Sequence, residues 1–112
     1  MVNAYSTELR INVIENDDTG TIFLNGRFVF YAHPDFTAAY NRLLRKTTIS
    51  SIVIDFENVK HLDSAALGML LVLHDRALDW KKSLTLCQPS RSAAAMFDIA
   101  NFHQKFVIRQ CH

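Results

Sequence analysis

The sequence is short of the residues that break, bend or staple a chain. Its 112 residues include three glycines, two prolines and two cysteines. So few glycines and prolines leave no Pro/Gly-rich linker and no low-complexity segment. Two cysteines, Cys87 and Cys111, are too few for the disulfide framework of a small secreted domain. Met1 to Arg10 holds no basic stretch followed by an apolar one, so no export signal is read there. The expectation is a cytoplasmic protein whose two thiols are free. No apolar run approaches the ~18 residues of a membrane span. An excess of one charge is also missing: twelve Lys and Arg face eleven Asp and Glu, giving a formal net charge of +1. A nucleic-acid protein would show a basic face or stripe. The one local basic run, Arg42 to Lys46, suits a helix C-terminus, where cations complement the dipole. Neither nucleic acid nor a membrane is expected as a partner.

What is present is a core. Hydrophobic residues make up 49% of the chain, and its length predicts one domain, residues 1–112, that folds without staples. Leu9, Ile11 and Val13 alternate with Arg10 and Asn12, the period of a half-buried strand. Asn16 to Gly20 is a turn cluster. Thr21 to Phe30 reads as a second strand, interrupted at Gly26 by a bulge or bend. Pro34 suits a first helical turn, and Phe36, Ala39, Tyr40, Leu43 and Leu44 form an amphipathic stripe that ends near Lys46. Ile49 to Phe56 is a continuous apolar run, the pattern of a covered strand, and Phe56 to Leu62 reads as a polar link. A second helix should run from Ser64 to about Trp80. Leu84 to Cys87 is a strand. Ser90 should cap a third helix with Ala93, Ala94, Phe97 and Ile99 inward, Asn101 should end it in the left-handed conformation, and Lys105 to Gln110 is a last strand. The order ββαβαβαβ predicts an α/β domain: a mixed sheet of about five strands, parallel after the first hairpin, with helices mainly on one face.

The second helix is the unusual element. Ala66, Met69, Leu70, Leu73, Ala77 and Trp80 form its core-facing set, widened by Leu67, Leu71 and Leu78 toward a neighbouring helix. The remaining face, Ser64, Ala65, Gly68, Val72, Asp75 and Arg76, is small and apolar near its start. A mid-helix glycine costs roughly 1 kcal/mol relative to alanine. Gly68 lies one turn beyond Ser64 on the same face. Two readings stand at this point: a partner's backbone approaches there, or the first helix packs tightly there. Asp63 and Ser64 can both serve as caps, a role worth about 1 kcal/mol. Ser64 can also act as a switch. A phosphate would add a charge of about −1.5 to −2. The helix N-terminus would stabilise it by about 0.3–1 kcal/mol.

Other chemistries fit less well. A nucleophile elbow needs G-x-S-x-G, and Leu62 and Ala66 stand at its glycine positions. None of His33, His61, His74, His103 and His112 can be assigned as a base, so a binding protein rather than an enzyme is expected. Cys87, Cys111 and His112 lack C-x-x-C or H-x-x-x-H spacing, and neither metal nor cofactor is expected. Asp55 and Asp63 could hold magnesium. More simply, Asp63 caps the helix and Asp55 orders the loop before it.

Val53-Ile54-Asp55-Phe56, a short link and then Asp63-Ser64-Ala65-Ala66-Leu67-Gly68 resemble the signature of STAS domains, in particular bacterial anti-sigma-factor antagonists. Leu24-Asn25-Gly26-Arg27-Phe28 is similar to the family's Leu-x-Gly-x-Leu second strand, and Met96 to Phe102 resembles the segment that closes its third helix. The chain departs from the pattern at Ala66, where glycine is common, and at Arg27, where an acidic residue is common. The resemblance implies a phosphorylation-controlled switch. The unphosphorylated protein binds an anti-sigma factor or a serine kinase of the histidine-kinase-like ATPase fold. Phosphorylation of the motif serine, here Ser64, releases that partner, and a PP2C-type serine phosphatase restores binding. The partner surface expected on this basis comprises Asp55, His61, Asp63, Ser64, Ala65, Gly68, Met69 and Val72. A STAS subunit of a lipid-transport complex, or a scaffold that is never phosphorylated, is the alternative the same resemblance allows.

Overall fold

The alternating segment at the start of the chain pairs with the one after it, and the rest of the sheet is laid down from that hairpin. The computed structural model describes residues 9–110. Strand β1 (Leu9–Asn16) runs antiparallel to β2 (Thr19–Phe28), with Asn16 opposite Thr19 across a tight turn. Asp17 takes a left-handed conformation there (φ 56°), which short polar side chains tolerate better than most. Helix α1 (His33–Arg45) follows a short 3-10 turn, Phe30–Ala32. Then come β3 (Ser51–Leu62), α2 (Ser64–Asp79), β4 (Ser83–Cys87), α3 (Arg91–Ile99), a second 3-10 turn (Phe102–Gln104) and β5 (Val107–Arg109). The sheet order is β1-β2-β3-β4-β5, and every pairing after the hairpin is parallel. The five-stranded mixed sheet and the ββαβαβαβ order match the expectation.

Residues of one sheet face, Ile22, Leu24, Ile52, Ile54 and Leu86, are fully buried with Phe36, Leu43, Leu70, Leu73 and Phe97 from the helices. On the other face Asn12, Ile14, Phe23 and Asn25 are exposed. Gly20 lets the sheet and α1 approach closely: a Cβ built there would stand 2.5 Å from Leu43 Cδ2. At the far end of α1 the Lys82 ammonium donates to the carbonyls of Leu43 (2.9 Å) and Lys46 (2.6 Å), adding a charged donor to the backbone bonds that these carbonyls already accept from Lys46 and Ile49. None of the described helices is long and apolar enough to cross a membrane.

Several boundaries differ from the sequence reading, each for a physical reason. β3 does not stop at Phe56. The expected polar link is its second half, paired to β2 through Asn58, Val59, His61 and Leu62. Register shifts between Phe23 and Asn25, and between Gly26 and Arg27, break the period of two, so the extension does not show as alternation. The irregularity expected at Gly26 (φ 119°) is present. Ile49 is buried but precedes the strand, and the last strand keeps only Val107–Arg109 of its expected span. Three apolar side chains assigned inward turn out to be exposed. Trp80 is the C-cap of α2, beyond its last turn; Leu78 points away from the Leu73–Ala77 side, 63% exposed; Ile99, at the end of α3, leaves the inner position to Phe97. Cys87 is not a free thiol: it is disulfide-bonded. The thiol count therefore gives no support for a reducing compartment. Cys111 lies outside the described residues.

Candidate functional site

The strand-to-helix junction decides which side chain caps α2. Asp63 is the N-cap, with extended backbone (φ −102°, ψ 178°). Its Oδ1 accepts from the Ala66 N–H at 2.9 Å, and its Oδ2 accepts from the Phe30 N–H at 3.3 Å. One carboxylate thus starts α2 and ties that start to the end of the β2 segment. Ser64 follows as the first helical residue. It is exposed, and its hydroxyl makes no hydrogen bond to another described residue. The capping explanation is therefore complete without Ser64.

Gly68 resolves in the same direction. A Cβ placed on it would meet nothing within 4 Å. Tight packing of α1 against this glycine, one of the two readings of its spacing, is excluded by that open space. Gly68 instead lines a groove of about 610 Å³. One wall is Ser64, Leu67, Gly68 and Leu71 of α2, and the other runs from Ala100 to Lys105 after α3. That second wall is held firmly. Ser90 caps α3 by accepting from the Ala93 N–H at 3.2 Å, and Asn101 ends it in the left-handed conformation (φ 57°, ψ 37°), as expected. The turn brings Phe102 under the groove, where its ring stacks on Phe97 (5.4 Å between centroids) and Phe106 (4.6 Å). The groove therefore has an apolar floor, a hydroxyl at one end and the Lys105 ammonium among its polar rim.

The expected site residues divide by burial. Ser64, Ala65, Gly68 and Val72 share the exposed face of α2, with Val72 51% exposed. His61 is exposed on β3 opposite Arg27. Met69 and Asp55 do not join this surface. Met69 is 7% exposed and faces the core. Asp55 is 6% exposed, and its Oδ1 accepts from the Glu57 N–H at 2.9 Å. It orders the chain immediately after it, now seen to be strand rather than loop. The Ala100–Lys105 wall was absent from the sequence reading. Its signals in the sequence, Asn101 and the resemblance over Met96 to Phe102, mark a helix end and not a neighbour of Ser64. Among the described residues no three His, Cys, Asp or Glu side chains gather as a metal ion would need.

Comparison with known proteins identifies the family and the fold. The family model for the STAS domain matches residues 10–111. A STAS-domain containing protein of Pseudomonas aeruginosa is 42% identical over 88 residues, which cover 79% of this chain and 85% of that protein. Among solved structures, an anti-sigma factor antagonist from Mycobacterium paratuberculosis is similar in fold, with a TM-score of 0.81 at 14% identity, covering 92% of this chain and 86% of that one. The anti-sigma factor antagonist SpoIIAA in its unphosphorylated form gives 0.73 at 17% identity, over 90% and 87%. The phosphorylated form of Bacillus SpoIIAA gives 0.68 at 17% identity, over 90% of both chains. By the match across nearly all of its length and by its close relative, the chain belongs to the STAS-domain family.

Proposed function

We propose that this protein is an anti-sigma-factor antagonist that works as a phosphorylation-controlled binding switch, with Ser64 as the switched residue. The observation that carries the reading is the division of labour at the start of α2. Asp63 does the capping, so the Ser64 hydroxyl stays free at the end of an apolar groove with Gly68 open beside it. A partner that covers this face buries a neutral hydroxyl at little cost. After phosphorylation it would have to bury a group carrying about −1.5 to −2 charges next to the Asp63 carboxylate. A loss of about 3–4 kcal/mol weakens binding by more than a hundredfold.

The fold has reason to tolerate the change. Asp63 takes the Ala66 N–H, but the N–H groups of Ser64 and Ala65 and the positive end of the helix dipole still favour an anion at this helix start. SpoIIAA, whose fold this chain shares, is known in phosphorylated and unphosphorylated forms. On this reading the partner is an anti-sigma factor or a serine kinase of the histidine-kinase-like ATPase fold. A PP2C-type phosphatase reverses the modification, and the exchange takes place in the cytoplasm. The chain itself binds and is modified rather than catalysing a reaction. The test is a paired capture from native cells with Ser64→Ala and Ser64→Asp proteins, together with the intact mass of the native protein. The expected result is one partner held by Ser64→Ala and lost by Ser64→Asp, and a phosphate on native Ser64. Equal recovery of every partner by both variants would sink the switch.

A further inference from the structure

The two edges of the sheet are built differently. β5 is three residues long, follows Lys105 and contains Arg109, so it is short and charged, as protected edges are. β1 is eight residues long and has no proline; its two charged residues, Arg10 and Glu15, lie near its ends and leave Ile11 to Ile14 uncharged. It is bonded on its β2 side, and no other described strand or loop bonds its outer backbone groups. Leu9, Ile11 and Val13 on its helix side are only half-buried. With Asp35, Ala38, Ala39 and Arg42 of α1 they border a groove of about 420 Å³ that follows this edge.

The helix above the groove carries a pattern of its own. Asp35, Ala38 and Arg42 fall at i, i+3 and i+7, one stripe of α1, and all three are exposed. Neither Asp35 nor Arg42 forms an ion pair with another described residue. The stripe reads acid, small, base, so it is complementary to itself when laid antiparallel. The topology supplies that direction. β1 is antiparallel to β2, and α1 returns along the sheet between the parallel strands β2 and β3, so α1 runs the same way as β1. Any pairing that sets two β1 strands antiparallel also sets two α1 helices antiparallel.

We propose that this flank is a self-association surface, with a second copy of the chain as its occupant. Two β1 strands pair antiparallel about a two-fold axis and join the sheets. Such an interface presents the same patch from both subunits. Because opposed residues lie on the same sheet face, the axis can pass through Asn12, which sets Ile11 against Val13 on the helix side. Above them each Asp35 meets the other copy's Arg42, and Ala38 lets the helices approach. The groove carrying Ser64 shares no residue with this flank, so the proposal is independent of the switch.

The test is molar mass by light scattering or sedimentation across a wide concentration range. The wild type should approach twice the 12.8 kDa of one chain. Asp35→Arg and Arg42→Asp each place like charges across the axis and should weaken the dimer by at least about tenfold. The double reversal restores opposite charges and should restore the dimer. A readout without variants is hydrogen exchange, in which β1 amides should gain protection as wild-type concentration rises. A wild type that stays monomeric throughout overturns the proposal, whatever else covers the edge. So does a dimer indifferent to the single reversals, or one not restored by the double reversal.

Discussion

Two serines stand at two helix starts in this protein, and they do different work. Ser90 is the N-cap of α3, and its hydroxyl accepts from the Ala93 N–H. Ser64 stands one position further in, as the first residue of α2, and the cap before it is Asp63. The same side chain is consumed by the fold in one case and left over in the other. The difference is one residue of register. It shows that a serine near a helix start is informative only once its neighbours are accounted for: at α2 the N-terminal donor is already satisfied, and what remains is a free hydroxyl on a small apolar face.

The comparison can be broken at its largest effect first. Ser64→Asp should weaken partner binding by more than about a hundredfold, measured by titration against the partner that Ser64→Ala captures, whereas Ser90→Asp should leave binding nearly unchanged because aspartate caps as well as serine. Next come the caps themselves. Asp63→Ala should cost about 1–2 kcal/mol in urea unfolding, because the Ala66 donor loses its acceptor and the Phe30 N–H loses a second one on the same carboxylate. Ser90→Ala should cost about 1 kcal/mol. Gly68→Ala is expected to raise stability by roughly 0.5–1 kcal/mol, since a Cβ there meets open space, while it weakens binding by filling the groove wall. The smallest effect is Ser64→Ala, which should change stability by less than about 0.5 kcal/mol. A loss as large as that of Ser90→Ala would show that the two serines are not different after all.

The elements that could be read from sequence are those specified locally. Ser90 and Asn101 bracket α3 because caps act through their own and adjacent backbone groups. The Phe36 to Leu44 stripe and the Leu9 to Val13 alternation report a single buried side. The β3 extension is different: two register shifts in its pairing with β2 erase the period of two, so Asn58 to Leu62 looks like a link. Trp80, Leu78 and Ile99 misled for another reason, since apolar character at a helix end says nothing about whether a neighbour reaches that far. The site divides along the same line. Asp63, Ser64 and Gly68 lie within two turns of one helix and were visible together. The opposite wall, Ala100 to Lys105, depends on how the chain returns after α3, which is a property of the assembled sheet. The family resemblance counts Met69 and Asp55 in the partner surface, and burial removes them from its exposed face.

The most direct measurement compares the affinity of the captured partner for the wild-type protein and for the same protein phosphorylated on Ser64, with circular dichroism on both. The account predicts unchanged secondary structure and an affinity lower by more than about a hundredfold. Equal affinity of the two forms would contradict it.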